Sequence, residues 1–165
     1  MNAAVAPRDQ RGFTLVELIV VILIIGILSA IALPRFIDMG KDARIAKAQA
    51  IMGAVRSASQ VVRAAALVRS ATGATGSVSV DGLSISTNYG YPQALGPNGI
   101  VDAAGLDSSA SNNDQVAISA GGATAGTAIT IQIAGAATAA TCQVSYTSPS
   151  VANGTPTIAL AIAGC

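Results

Sequence analysis

The stretch FTLVELIVVILIIGILSAIAL, residues 13–33, decides the fold, because its 21 residues carry a single charge, at Glu17. As an α-helix rising about 1.5 Å per residue it would extend roughly 31 Å, the thickness of the hydrocarbon core of a bilayer. Arg8 and Arg11 precede the stretch and favour a cytoplasmic N-terminus, whereas Arg35 follows it and weakens that preference. The stretch therefore predicts a helix that crosses a membrane.

An ordinary secretory signal peptide is the alternative interpretation of this segment. Ala30-Ile31-Ala32 offers a small-x-small cleavage pattern, and cleavage there would release an exported globular enzyme or binding protein that begins at Leu33. The apolar run is longer than a usual signal core, it contains a carboxylate, and apolar helical periodicity continues beyond Pro34. A carboxylate in a membrane is costly unless it is paired, so Glu17 is a candidate functional residue, with snorkelling to the interface as the structural alternative.

The motif Gly12-Phe13-Thr14-Leu15-Val16-Glu17 has a short basic leader before it and an aliphatic stretch after it that ends Ala32-Leu33-Pro34-Arg35-Phe36. Together these residues resemble the precursor of a type IV pilin or a related pseudopilin. The resemblance implies that a membrane-bound prepilin peptidase cleaves between Gly12 and Phe13. It also implies N-methylation of the new Phe13 amine and assembly of the helices into the core of a filament.

The resemblance implies an assembly role for Glu17, and that role has a physical basis. Cleavage after Gly12 creates an amine on Phe13, four residues from Glu17. In a filament core of low dielectric each charge needs a partner, and this amine and carboxylate supply one another within or between subunits. Gly26 and Pro34 are the positions where we expect the helix to bend or melt.

A second helical segment, residues 34–70, is expected to continue the first. One apolar stripe follows helical spacing and predicts a face that packs against a sheet; it consists of Ile45, Ala48, Met52, Val55, Val62 and Ala66. The basic residues lie largely off this stripe and are interpreted as a solvated face or as contacts between subunits. Gly73 and Gly76 are expected to end the helical region.

Residues 71–165 predict a β-sheet head of Gly, Ser, Thr and Ala. Val78-Ser79-Val80 and Leu83-Ser84-Ile85 alternate around Asp81-Gly82, a strong hairpin signal. Three further alternating runs predict half-buried antiparallel strands; they contain Ile129, Ile131 and Ile133, then Cys142, Val144 and Tyr146, then Ile158, Leu160 and Ile162. The predicted class is α+β, with a leader 1–12, a membrane and filament-core helix 13–33, an amphipathic helix 34–70 and a head 71–165.

Charge and composition exclude several kinds of function. Charged residues make up 10% of the chain, against about 25% in typical soluble domains. All nine Lys and Arg residues lie between Arg8 and Arg69, so the head lacks the cations that a nucleic-acid-binding surface needs. There is no His, which removes His-based catalytic triads and His-containing metal sites. We expect no enzymatic activity, no cofactor and no nucleic-acid partner.

The two cysteines and three aspartates of the head are the remaining candidates for chemistry. Cys142 and Cys165 are expected to pair if the chain is exported, and the resemblance implies that this pair bounds the exposed edge of the filament. Asp102, Asp107 and Asp114 are weak calcium candidates, because carboxylate oxygens suit calcium but the spacing is not that of an EF-hand. Solvated loop residues are the simpler interpretation.

The predicted function is that of a major type IVa pilin: a homo-oligomeric surface filament for adhesion, attachment or motility. The subunit is expected in the inner membrane before assembly, where the peptidase and the pilus assembly machinery act on it, and in an extracellular pilus afterwards. Tyr89-Gly90-Tyr91-Pro92 and Cys142-Gln143-Val144-Ser145-Tyr146-Thr147 resemble the mannose-sensitive haemagglutinin pilin branch more narrowly. A type II secretion pseudopilin, whose filament stays periplasmic, is the alternative within the family; the cysteine pair disfavours it.

Overall fold

A computed structural model describes residues 13–107, 115–119 and 121–165, and for residues 33–38 it describes the backbone alone. The chain begins with one long helix and continues with short strands. In chain order the elements are α1 (Leu15–Val68), β1 (Gly76–Val80), β2 (Leu83–Asn88), β3 (Tyr91–Pro92), α2 (Ile100–Ala103), β4 (Val116–Ile118), β5 (Ala128–Ile133), β6 (Gln143–Thr147) and β7 (Thr157–Ala161). A single turn of 3-10 helix, Ala139–Thr141, precedes β6.

The chain divides into two compact units, one that ends at Met39 and one from Gly40 to Cys165. In the first unit the described residues are the N-terminal part of α1 and the two residues before it. In the second unit the C-terminal part of α1 packs against two antiparallel sheets, one of order β1-β2-β3 and one of order β4-β5-β6-β7. The predicted α+β class and the antiparallel head are confirmed, and the head contains two sheets rather than one.

The predicted stripe on α1 is the face that forms the core of the second unit. Ala48 and Val55 are fully buried against the inner face of the four-stranded sheet, where Ile129, Ile131 and Tyr146 are also fully buried. About two to three helical turns after Val55, Val62 and Ala66 form a smaller cluster with Val78 and Ile85 of the three-stranded sheet. One helical stripe therefore packs against both sheets, its earlier part against β4–β7 and its later part against β1 and β2.

The predicted hairpin forms at the predicted turn. Val80 pairs with Leu83, and Val78 pairs with Ile85 on the buried face. The two turn residues, Asp81 and Gly82, have φ angles of 51° and 81°. Positive φ at both central residues is the type I′ turn, whose twist matches that of the flanking strands. The Asp-Gly signal thus fixes both the position and the register of the hairpin.

One buried hydroxyl connects the two sheets. The Tyr146 hydroxyl on β6 donates a 2.7 Å hydrogen bond to the carbonyl of Pro92 on β3. Burial, with a smaller contribution from Tyr91, raises the pKa of Tyr146 well above its usual value, so the hydroxyl stays protonated and remains a donor. The Tyr89–Pro92 segment and strand β6 are therefore in direct contact.

Three arginines of α1 attach the helix to the rest of the second unit through backbone carbonyls. Arg44 Nε donates to the backbone oxygen of Cys165, and Arg63 Nη1 donates to that of Tyr89, each at 2.6 Å. Arg69 Nη1 donates to the Ser79 carbonyl on β1, also at 2.6 Å. The interpretation of the basic residues as solvated or inter-subunit groups is therefore wrong for Arg44 and Arg63, which are half-buried, because a guanidinium can reach past the core stripe and satisfy carbonyls of the head. Arg69 is exposed, as that interpretation expects.

Arg63 makes a second contact that restricts the turn after β2. Its guanidinium carbon lies 4.9 Å from the centroid of the Tyr91 ring, a cation–π distance. Gly90, between the two tyrosines, has φ of 81°, and a Cβ at this position would lie 2.5 Å from Arg63 Nη1 and 3.3 Å from Ala66 Cβ. A glycine is needed here both for its backbone angle and for space.

We predict that Gly90→Ala destabilises the head more than Gly82→Ala does. Both glycines have φ of 81°, but nothing lies within 4 Å of a Cβ added at Gly82. Gly82→Ala should cost roughly 1 to 2 kcal/mol from backbone strain alone. Gly90→Ala should cost about 1 to 3 kcal/mol more, because Arg63 must leave its carbonyl and its ring. Near-ultraviolet circular dichroism of the tyrosines during thermal unfolding in detergent measures the difference, and equal losses would contradict the packing argument.

Candidate processing and assembly site

Thr14 and Glu17 form a reciprocal cap at the start of α1. Glu17 Oε2 accepts hydrogen bonds from the Thr14 backbone N–H at 2.8 Å and from the Thr14 hydroxyl at 2.7 Å. The Glu17 N–H points back to Thr14 Oγ1 at 3.3 Å. This is a capping box, in which the side chains of the N-cap residue and of the third helical residue satisfy backbone donors that have no partner within the helix.

The cap places a carboxylate at the end of the helix where backbone N–H groups concentrate positive potential. The predicted cleavage point lies next to it: Phe13 is described and 91% exposed, and Gly12 lies outside the described residues. The sequence motif identifies Glu17 but gives no role to Thr14. The sequence does contain a signal for Thr14, because Thr-x-x-Glu before an apolar run is a capping-box pattern. The capping role was not predicted because the same residues were interpreted as part of the pilin motif.

The helix that follows the cap exposes an uninterrupted apolar surface. Leu15–Ala32 has a mean hydropathy of 3.0, and none of it is buried within the structure. By length and composition this segment can cross a membrane, a test that a signal sequence near an N-terminus also passes. The large apolar side chains are exposed on all sides of the helix, from Leu15 at 72% to Ile31 at 68%.

The helix assignment continues without a break through Gly26 and Pro34. No Cβ added at Gly26 would meet another group within 4 Å. The side chain of Pro34 lies among the residues whose backbone alone is described. The bend or melting that the sequence predicts at these two positions therefore stays a prediction.

The aspartates of the head do not come together as a metal site among the described residues. Asp102 lies in α2, where its Oδ2 accepts a 2.7 Å hydrogen bond from the Asn98 backbone N–H. Asp107 is half-buried, and Asp114 lies outside the described residues. Within the described part of the chain, no group of three or more acidic, cysteine or histidine side chains could hold a metal ion. Calcium binding by this set stays a prediction.

The expected disulfide is present and lies at the edge of the four-stranded sheet. Cys142 and Cys165 are bonded with their Cα atoms 4.9 Å apart, and both are buried. The bond joins the start of β6 to the chain that follows β7, so it closes the last hairpin at its open end. Arg44 then connects this closed loop to α1 through the Cys165 backbone oxygen.

Hydrogen bonds outside the strands fix the same corner. Thr138 N–H donates to the Gly164 carbonyl, and Gly164 N–H donates to the Thr141 carbonyl. A Cβ at Gly164 would collide with Thr141 Oγ1 and with the Thr138 carbonyl. The disulfide, the turn of 3-10 helix and the end of the described chain therefore form one tightly packed corner.

The N-terminal segment is similar to segments of known proteins. Residues 7–33 match the family described as the prokaryotic N-terminal methylation motif. The type IV narrow pilus major component PilA5 of Thermus thermophilus is 58% identical over 48 residues, which cover 29% of this chain and 41% of that protein. A fimbrial protein of Pseudomonas aeruginosa is 37% identical over 67 residues, 39% of this chain and 44% of that protein. The type IV major pilin protein PilE1 of Neisseria gonorrhoeae is 51% identical over 39 residues, 24% of each chain.

The N-terminal segment thus carries a match to a methylation motif, and the relatives that share the segment are named as pilus and fimbrial proteins. The similarity to type IV pilins that the N-terminal segment predicts is confirmed. The matches span less than half the length of these curated relatives. No solved structure matches the chain significantly. The assignment to the mannose-sensitive haemagglutinin branch stays a prediction.

We predict that loss of the disulfide destabilises the head by about 3 to 4 kcal/mol, the chain-entropy value for a loop of this length. The double variant Cys142→Ser/Cys165→Ser and the wild-type protein treated with dithiothreitol should both unfold at lower denaturant concentration than the oxidised protein. Urea unfolding followed by tyrosine circular dichroism measures the shift. A midpoint unchanged in both samples would show that the hydrogen bonds around Gly164 hold the corner without the covalent bond.

Proposed function

We propose that this chain is a structural subunit of a type IV pilus, a major pilin, rather than an enzyme. It is cleaved between Gly12 and Phe13, methylated at the Phe13 amine, stored in the inner membrane and polymerised into a surface filament for adhesion, attachment or motility. The observation that carries this proposal is the apolar surface of Leu15–Ala32, none of it buried, in a segment that matches the methylation motif.

The exposed surface requires two successive environments. A fully apolar helix is stable in a bilayer, where its backbone groups are satisfied internally and its side chains face lipid. On leaving the bilayer it needs an equally apolar environment, and other copies of the same helix supply one. Relatives that form pili support this choice.

Glu17 favours one register of the helix relative to its neighbours in the filament. Before cleavage its carboxylate accepts hydrogen bonds from Thr14, so its charge is partly satisfied at the helix end. After cleavage the Phe13 amine, one residue before Thr14, is a cation that the carboxylate can reach within its own subunit or in a neighbour. In a core of low dielectric this pairing stabilises correct registers and penalises those that leave either charge alone.

The partners follow from these steps. The proposed prepilin peptidase and the assembly machinery both act at the inner membrane, where residues 13–33 hold the precursor. The head, closed by the Cys142–Cys165 disulfide, belongs outside the cytoplasm, because disulfides persist in oxidising compartments. The proposed final location is an extracellular pilus.

We predict that Glu17→Gln leaves membrane insertion intact and abolishes or sharply reduces filament assembly. Glutamine keeps an oxygen that can accept from Thr14, but it removes the charge that pairs with the amine, and removal of one member of a buried pair costs roughly 3 to 5 kcal/mol. Electron microscopy of cell surfaces and immunoblots of membrane fractions measure the two effects.

Thr14→Val is the matched control. It removes the hydroxyl that donates to Glu17 Oε2 at 2.7 Å but keeps both the charge and the backbone N–H. Its cost should be the roughly 1 kcal/mol of a weakened cap, with filaments still formed. Normal filaments from Glu17→Gln, or equal defects in the two variants, would refute the proposed role of the carboxylate.

We predict that the mature protein begins with a methylated Phe13. Mass spectrometry of the N-terminal peptide should show the sequence FTLVEL with one added methyl group on its amine, since the matched motif is a methylation motif. A mature protein that begins at Leu33 would instead establish an ordinary signal peptide, and with it an exported protein that has lost the filament helix.

A further inference from the structure

The C-terminal part of α1 has two solvent-facing flanks of different chemistry. Val55 is fully buried in the core. Since neighbouring residues of an α-helix are about 100° apart around its axis, Arg56 lies on one side of the core stripe and Ala54 on the other. Each flank borders a groove, and both grooves lie wholly within the unit Gly40–Cys165.

The first flank is cationic. Its groove, of about 460 Å³, is open to solvent and runs between α1 and the start of β7. We call it the cationic flank and define it by Arg56, Gln60, Tyr91, Thr155 and Pro156. Arg56, Gln60 and Thr155 are exposed, whereas Tyr91 is buried and forms the floor. The flank therefore offers one exposed cation and polar side chains around a small apolar floor.

The second flank is acidic and lined by small side chains. Its groove, of about 300 Å³, runs between α1, the β1–β2 turn and the end of α2. We call it the acidic flank and define it by Ala54, Ser57, Val61, Asp81 and Ala104. Asp81 is exposed and is held in the type I′ turn, and Val61 is 49% exposed. Arg69 donates to the Ser79 carbonyl two residues before Asp81, so the end of β1 that leads into this turn is attached to α1.

We propose that the cationic flank of one subunit packs against the acidic flank of a second copy of this chain, with Arg56 paired to Asp81 across the contact. The arginine stem lies along the small side chains of the acidic flank, and its guanidinium reaches the carboxylate. This contact rests on the proposed filament function and adds to it a specific interface between heads.

The occupant is a second copy because each subunit carries both halves of the contact. The two surfaces are opposite in charge and lie on opposite flanks of one helix, so each copy can use one flank for each of two neighbours. Such a contact is heterologous: it does not close a two-fold dimer, and its repetition generates an open helical array. Opposite charges also oppose the reversed arrangements, in which like flanks would meet.

Charge reversal tests the pairing in cells that assemble the wild-type chain into filaments. Arg56→Asp and Asp81→Arg should each lower the amount of filament sheared from cells by about fivefold. The combined Arg56→Asp/Asp81→Arg variant should recover most of the wild-type amount, because the pair is restored with its signs exchanged. Lys41→Asp is the matched control: Lys41 is an exposed cation of α1 outside both flanks, and its reversal should leave the amount unchanged.

Immunoblots of the membrane-stored subunit distinguish loss of assembly from loss of folding. The interface would be overturned by stable single variants that assemble normally, or by a combined variant that assembles no better than the single ones. In either case filaments of the wild-type chain would still support the proposed function. Absence of filaments from the wild-type chain would overturn both proposals.

A cross-linking measurement keeps the test independent of folding effects from charge reversal. Leu83→Cys, beside Asp81, and Thr155→Cys, in the cationic flank, leave both charges in place, and both positions are exposed. In intact filaments treated with copper phenanthroline, this pair should give a ladder of disulfide-linked oligomers on a non-reducing gel. Thr155→Cys combined with Ala137→Cys, at an exposed position outside both flanks, should not. Equal ladders, or none for the first pair, would contradict the interface.

Discussion

The apolar surface between Leu15 and Ala32 is the constraint on which the other features depend. It is exposed within the chain, and an apolar surface of this extent requires an apolar environment that covers it. The same requirement gives Glu17 its importance, because a charge beside such a surface must be paired whenever the surface is covered.

The second half of α1 has a different role: it packs against the sheets of the head. From Ala48 to Ala66 its buried stripe is apolar apart from Ser59, while arginines beside the stripe donate to carbonyls of the head. The head has few aromatic side chains and a core of Ile, Val and Ala, so its burial of apolar area is modest. The helix, the disulfide and the buried Tyr146 hydroxyl each connect parts of the chain that this small core would hold weakly.

Local signals in the sequence predicted a large share of the fold and of the site. Three short-range patterns each predict one kind of structure: the apolar run, the Asp81-Gly82 turn and the alternating strands. The structure confirms all three. The partners of Arg44 and Arg63 could not be predicted, since they lie 121 and 26 residues away and a carbonyl group has no sequence signature. Strands β3 and β4 were also missed, because two or three residues are too few to show an alternation. Thr14 was predictable in principle, and its capping role was hidden by a stronger motif.

The arginine contacts with backbone oxygens bear on how this head can change over evolutionary time. Every residue type presents a carbonyl, so Arg63 and Arg69 keep their acceptors whatever side chains occupy positions 89 and 79. An attachment of this kind is indifferent to substitution on the acceptor side and sensitive only to the path of the backbone. The residues that supply these acceptors can therefore change their side chains without loss of the attachment to the helix.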